Sequence, residues 1–326
     1  MSAPERPQRL RVALFGSPAF ALPTLDALAE RHALVLVVAQ PDKRAGRGMR
    51  VTSPDGARRA RELGIALEQP ERLKGNGAFR ERLRELRVDV AVTAAYGKIL
   101  PADLLAVPPH GFLNVHASLL PRYRGAAPVQ WALINGERET GVSIMQTEAG
   151  LDTGPVCLQR TMPIPPGATT PTLMASLAEL GAQAILAALE RSLAGSLACA
   201  PQDEGAATYA PMLSREDGRI RWGDPAEAVA SRHRGVGEWP GSRFAFEAAS
   251  GREDVKVSEL RLQPAGVPGA GSVEPGTVLA VDAEGVTVAC GRGAVLLARV
   301  QPPGKRAMAG RDWANGHSVR QGVRLG

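Results

Sequence analysis

Two polar side chains, Asn114 and His116, interrupt the apolar run GFLNVHAS at residues 111–118. Residues two apart on an extended strand leave the same face, so an amide and an imidazole would stand side by side. An uncharged amide donor next to an imidazole can stabilise a developing oxyanion and help move a proton. An acid that fixes the ring's tautomer or favours its charged form would complete the set. Asp152, in AGLDTG, lies in a glycine-bracketed loop able to bring its carboxylate beside a neighbouring strand. Neither a G-x-S-x-G elbow nor a strong cysteine nucleophile accompanies them. The chemistry that suits the triplet is direct acyl-type transfer without a covalent enzyme intermediate. Each residue also has a structural reading: His116 as a hydrogen-bonded strand end, Asp152 as a turn residue, Asn114 as a helix cap.

Positioning these groups requires rigid strands, and the sequence supplies them. RVALFG (11–16), ALVLVVAQ (33–40), DVAVTAAYG (89–97) and GFLNVHAS are near-continuous apolar runs, the pattern of strands buried on both faces. They alternate with helical segments such as AFALPTLDALAERH and AFRERLRELR (78–87). Such alternation predicts a doubly wound α/β domain with a mostly parallel, Rossmann-like sheet, whose ligands bind beyond the strands' carboxyl ends. Two further strands, GVSIMQTE (141–148) and PVCLQRTMPI (155–164), flank the Asp152 loop, and Thr170 with Pro171 reads as the cap of a long helix. From about Ala206 the helical period fades into short strands joined by Asp-Ala-Glu-Gly and Gly-Arg-Gly turns. A catalytic domain over 1–205 followed by a small OB-like β-barrel over 206–326 is therefore expected; barrels of this class often bind nucleic acid. FGSPAF has one glycine after the first strand, not G-x-G-x-x-G, and no P-loop occurs, which argues against a dinucleotide or nucleoside triphosphate at that turn.

Composition narrows the class. The 326 residues are 44% hydrophobic and 22% charged, enough for ordinary cores. No apolar run approaches the roughly 18 residues of a bilayer span, and the polar MSAPERPQRL lacks a secretory h-region, so no membrane role is expected. Cys157, Cys199 and Cys290 are isolated, which suggests buried spectator thiols in a reducing cytoplasm. The five histidines have no ligand spacing, so no metal is expected. Between Lys43 and Arg61 lie seven basic residues and only Asp55, a net charge of +6, equal to that of the whole chain. A second basic segment runs from Arg299 to Arg324. Either both are solvated loops, or they meet a polyanion that spans both domains.

LNVHASLLPRYRGAAP followed by GLDTG resembles the formyltransferases that use 10-formyltetrahydrofolate as formyl donor. FGSPAFALPTLDAL, QPDKRAGRG, AAYGKILP, ETGVSIMQTEAGLDTGPV, WPGS and QPPGKRAM extend the likeness from about residue 10 to residue 313. The inserted basic loop and the C-terminal barrel are similar to those of the branch that acts on initiator methionyl-tRNA. The resemblance implies that Asn114, His116 and Asp152 are catalytic, and that Ser118, Leu119, Leu120 and Pro121 line the folate site. It further implies that Lys43, Arg44, Arg47, Arg50, Lys305 and Arg306 meet the tRNA. Three departures occur. Arg44 stands where that branch commonly has proline, Asp55-Gly56-Ala57 where a lysine is usual, and Gly237-Glu238-Trp239-Pro240 where Asn-Pro-Trp-Pro is expected.

On this resemblance the neutral α-amino group attacks the formyl carbon, Asn114 donates to the oxyanion, and His116 assists, oriented and charged by Asp152. Arg122 and Arg124 either meet acidic groups of the substrate or serve as ion-pair partners. The competing readings are a formyltransferase acting on a nucleotide-linked amino sugar, a formyltetrahydrofolate hydrolase, and a non-catalytic RNA-binding protein on the same scaffold. A two-domain clamp around RNA needs no second copy, so a monomer is expected.

Overall fold

In the computed structural model, residues 9–45, 50–237, 239–248 and 251–326 are described. They form two compact units, one built from the residues up to Pro128, Glu139–Pro163 and Thr172–Pro211, the other from Val129–Arg138, Ile164–Pro171 and Met212 onward.

The first unit opens with β1 (Arg11–Gly16), α1 (Leu22–Arg31) and β2 (Ala33–Val38). A hairpin of β3 (Lys43–Ala45) and β4 (Arg50–Thr52) leads into α2 (Asp55–Glu62) and β5 (Leu67–Glu68). Then come α3 (Gly77–Glu85), β6 (Val90–Ala94), α4 (Ala102–Leu105) and β7 (Phe112–His116). After α5 (Pro128–Ile134), which from Val129 on belongs to the second unit, the chain adds β8 (Glu139–Gln146) and β9 (Val156–Pro163), and then α6 (Thr170–Leu193). The sheet order is β5-β2-β1-β6-β7-β8-β9. It is parallel from β5 to β7 and turns antiparallel at β8 and β9. All of β6 and five of the six residues of β1 are buried, which is why both read as unbroken apolar runs. Phe15 clusters with Phe79, Tyr96 and Phe112, fixing β1 against α3 and β7.

Helix α6 packs closely on the strand that carries Asn114 and His116. A Cβ at Gly181 would lie 2.6 Å from Val115 Cγ1, so only glycine allows this approach. This helix corrects one expectation: by length and composition it is long and apolar enough to cross a membrane, and 50% of its most apolar stretch is buried inside the fold. Counting consecutive apolar residues misses it, because Ser176, Glu179, Gly181 and Gln183 interrupt the run. Thr170 also behaves differently from a cap. Its hydroxyl donates to Gly235 O at 2.7 Å.

The expectation of three spectator thiols is overturned. Cys157 and Cys199 form a disulfide, whereas Cys290 is free and buried, its thiol pushed up to about 12 by burial. Residues around Ala200 run antiparallel to the start of β9, with Val156 and Ala200 exchanging two backbone hydrogen bonds of 2.9 Å. That pairing sets the two cysteines side by side across 42 residues of sequence, a proximity that no local spacing reveals.

The second unit holds α7 (Ala226–Val236), β10 (Arg243–Ala248), β11 (Gly251–Leu262), β12 (Val278–Val281), β13 (Val286–Ala289), β14 (Ala294–Gln301), β15 (Met308–Ala309) and α8 (Gly310–Gly316). Its antiparallel sheet runs β10-β11-β14-β13-β12, with β15 on β14, and is a curled half-barrel. Trp222, Phe244, Phe246 and Trp313 pack at ring distances of 5.3–6.1 Å in its core.

Candidate active site

Asn114 lies in register with Thr93 on β6, and the Thr93 hydroxyl donates to Asn114 Oδ1 at 2.7 Å. With its oxygen engaged, the amide presents its NH2 as the donor. Two residues further along β7, His116 is buried, and its Nε2 lies 2.9 Å from Tyr123 O. A carbonyl only accepts, so Nε2 carries a hydrogen and the other ring nitrogen is left to face the site. That nitrogen, Nδ1, is 3.6 Å from Asp152 Oδ2, an ion-pair distance too long for a hydrogen bond. The imidazole and carboxylate singled out in the sequence are therefore brought face to face, with the amide two residues away on the same inner strand.

The loop carrying Asp152 is held from several sides. Asp152 Oδ2 accepts from the Gly125 N–H at 2.9 Å, while its backbone adopts φ +53°, a left-handed conformation uncommon outside glycine. Gln202 donates to the carbonyls of Asp152 and Gly154 at 2.8 and 2.7 Å. Gln202 in turn accepts from Arg124 Nε at 3.0 Å, and Arg124 makes a two-pronged pair with Glu204 at 2.9 and 2.8 Å. The carboxylate raises the guanidinium's pKa above its ordinary value. Arg124 is fully buried, so of the two readings open for it in the sequence the structure supports the ion-pair partner. Arg122 lies over the Tyr123 ring at 5.3 Å.

Within SLLP, Ser118 is buried and its hydroxyl donates to Arg122 O at 2.6 Å. Leu120 and Pro121 line a cavity of about 340 Å³ together with Gln159 and the stretch 200–203, whereas Ser118 and Leu119 do not reach it. Ser143, buried on β8, ties this turn down by donating to Ser118 O at 2.7 Å and accepting from Leu120 N–H at 3.0 Å. Among the described residues no group of His, Cys, Asp and Glu could hold a metal ion.

A sequence profile of the formyl transferases matches residues 9–189, and that of the formyl transferase C-terminal domain matches residues 212–318. The chain belongs to the formyl transferase family. Methionyl-tRNA formyltransferase of Deinococcus radiodurans is 54% identical over 97% of this chain and 95% of its own. Methionyl-tRNA formyltransferase of Thermus thermophilus is 50% identical over 97% and 99%. Among solved structures, the sugar 3N-formyl transferase WlaRD superposes with a TM-score of 0.66 at 14% identity, covering 92% of this chain and 100% of that one. HypX from Aquifex aeolicus, in complex with tetrahydrofolic acid, gives 0.63 at 18% identity over 95% of this chain and 48% of the HypX chain. At such identities the structural matches speak for the formyl transferase fold.

The basic segment of this formyl transferase is partly neutralised by acids outside it. Arg59 pairs with Asp26 at 2.8 Å and Glu62 at 3.1 Å, and Arg61 approaches Asp42 at 3.7 Å. Arg58 pairs with Asp55 within α2. Lys43 donates to Gln40 at 3.1 Å. Arg47 and the side chains of Arg44 and Arg50 lie outside the described residues. Lys305 and Arg306 are exposed on the turn between β14 and β15. Sequence reasoning missed Thr93, Gln202 and Ser143. For Thr93 and Ser143 the signal was present as a hydroxyl inside an otherwise apolar strand; Gln202 left none.

Proposed function

We propose that this chain transfers the formyl group of 10-formyltetrahydrofolate to the α-amino group of methionyl initiator tRNA, in the cytoplasm, as the step before translation initiation. The reading is supported by Asn114 and His116 two residues apart on β7, with Asp152 facing His116, in a chain 54% identical, over 97% of its length, to a methionyl-tRNA formyltransferase. The amine in its neutral form attacks the formyl carbon, and negative charge gathers on the formyl oxygen. The Asn114 NH2, held by Thr93, is the donor for that oxygen. Nε2 of His116 is committed to Tyr123 O, so proton traffic runs through Nδ1 and the Asp152 carboxylate facing it. The proton lost by the amine leaves along this edge, and N10 of the folate gains one as it departs. The folate is assigned to the Ser118–Pro121 stretch, a placement supported by the cavity at Leu120 and Pro121. Contacts from Lys43, Arg44, Arg47, Arg50, Lys305 and Arg306 to tRNA phosphates would make binding fall steeply with salt.

The test is transfer of labelled formyl in parallel reactions offering initiator methionyl-tRNA, elongator methionyl-tRNA, a nucleotide-linked amino sugar, and water. Transfer to the initiator species alone is expected, with Asn114→Ala about a hundred- to a thousandfold slower in kcat, the usual cost of one oxyanion donor. Transfer to the sugar or to water would keep the chemistry and remove the RNA. Binding without transfer would leave an RNA-binding scaffold.

A further inference from the structure

One short stretch of backbone touches both members of the His116–Asp152 pair. The Tyr123 carbonyl meets His116 Nε2 at 2.9 Å, and the Gly125 N–H meets Asp152 Oδ2 at 2.9 Å. Residues 123–125 therefore orient the imidazole and the carboxylate across their 3.6 Å gap. Tyr123 does so from a costly backbone: its φ is +61°, in the left-handed region that bulky residues rarely take. Such a conformation persists only where its surroundings over-determine it. Here each of the two peptide units flanking Tyr123 is held at both ends. In the unit before it, Arg122 O accepts from the Ser118 hydroxyl at 2.6 Å, and the Tyr123 N–H donates to Thr208 Oγ1 at 2.8 Å. In the unit after it, Tyr123 O accepts from His116 Nε2, and the Arg124 N–H donates to Thr208 O at 2.8 Å. Thr208 supplies two of these four bonds from 85 residues further along the chain. It is itself exposed, whereas Tyr123 is buried, so the hydroxyl of Thr208 serves this contact rather than the core.

We propose that Thr208 is a positioning residue for His116: its hydroxyl holds Tyr123 in the left-handed conformation, so that the Tyr123 carbonyl keeps the ring hydrogen on Nε2 and Nδ1 stays turned to Asp152. Which nitrogen of a histidine carries the hydrogen is set by the hydrogen bond that the ring makes. Taking away the hydroxyl removes the acceptor of the Tyr123 N–H, and an unmade hydrogen bond in a buried residue costs its desolvation. Tyr123 relieves that cost by leaving the left-handed region, which swings its carbonyl off Nε2 and frees the ring to turn. The inference rests on the reading that His116 takes part in formyl transfer; it adds what holds the ring for that work.

The test compares Thr208→Val, which removes the hydroxyl at nearly constant shape, with Thr208→Ser, which keeps it. NMR of the 15N-labelled full chain reads the His116 ring N–H, identified as the signal lost in His116→Gln. In the wild type that proton should exchange slowly with water, being held against the carbonyl of a buried residue. In Thr208→Val it should exchange faster, and kcat should fall roughly two- to twelvefold, the net worth of one hydrogen bond. KM for folate and for methionyl-tRNA should not change, and Thr208→Ser should match the wild type throughout. Melting temperatures of the variants check the fold. An unchanged ring signal in Thr208→Val overturns the proposal. So does an equal loss in the Ser and Val variants, or a rise in KM with kcat intact, either of which marks a different role for the residue. The ring signal needs no turnover to be read. If the wild type transfers no formyl yet the signal depends on Thr208, the functional reading fails and the positioning stands. If the wild type transfers formyl and Thr208→Val turns over equally fast, the positioning fails alone.

Discussion

Replacing Thr93 by valine removes one hydroxyl at nearly constant shape. Thr93 is 6% exposed, and its only polar group donates to Asn114 Oδ1 at 2.7 Å. If that bond holds the amide so that its NH2 meets the reacting oxygen, losing it costs the bond's net worth, about 0.5–1.5 kcal/mol. Converted at RT, this is roughly a two- to twelvefold fall in kcat. The loss should be smaller than that of Asn114→Ala, since the donor is still present and only its orientation is freed. Single-turnover formyl transfer with saturating folate and methionyl-tRNA reads the step. The double variant supplies the decisive comparison: on an Asn114→Ala background the valine has nothing left to misalign, so it should cost less than about twofold further, the non-additivity of residues that act as a unit. If Thr93→Val retains its full effect there, Thr93 does not act through Asn114 and the reasoning is refuted.

Three other outcomes are expected. Asp152→Asn keeps an oxygen for the Gly125 N–H but removes the charge 3.6 Å from His116 Nδ1; kcat should drop about tenfold or more with little change in KM for folate, measured by steady-state kinetics. Burial lowers His233, on α7 and 2.9 Å from Ser242 Oγ, from 6.5 to about 4. Its neutral form is thus favoured by folding, and stability should be lost as pH falls from 6.5 towards 4. The slope approaches about 1.4 kcal/mol per pH unit, and His233→Asn should flatten it in denaturant titrations. Breaking the Cys157–Cys199 link, which closes 42 residues, should cost about 2–4 kcal/mol and lower the melting temperature of the paired serine variant. Thiol titration of the unfolded, unreduced protein should find Cys290 alone, and a count that includes Cys157 and Cys199 would contradict the link.

The parts legible in the sequence were those set by local period. Apolar runs gave the strands of the parallel half of the sheet, and the two-residue spacing of Asn114 and His116 placed them on one face. The glycines around Asp152 marked a loop able to bring its carboxylate beside a neighbouring strand, and Asp152 Oδ2 lies 3.6 Å from His116 Nδ1; the positive φ of Asp152 itself was not foreseen. What stayed hidden depends on distant partners. Gln202 and Glu204 reach Arg124 from about eighty residues away, and the disulfide depends on an antiparallel pairing at Ala200. The charge of the 43–61 segment was overstated because Asp26, Asp42 and Glu62, which pair with its arginines, lie outside it in sequence. Helix α6 was underrated as an apolar element because polar residues on its other faces break the run.

The bracing of Asp152 by Gln202, and of Gln202 by Arg124 and Glu204, sets a limit on how this chain can be shortened. Every strand of the first sheet is complete by Pro163, and α6 ends at Leu193. A cut just after that helix would look architecturally harmless. It would strand a fully buried guanidinium without its carboxylate, free the Asp152 loop, and remove the backbone at Thr208 and Ala210 that pairs with Arg124. A fragment that keeps this bracing must therefore retain the residues from 194 to 210, a tail that carries the short 3-10 turn Glu204–Ala206 and lies outside the strands of the sheet. On a ribosome, that tail is also the last part of the first unit to emerge, so the bracing of the Asp152 loop is the last of its contacts to become available.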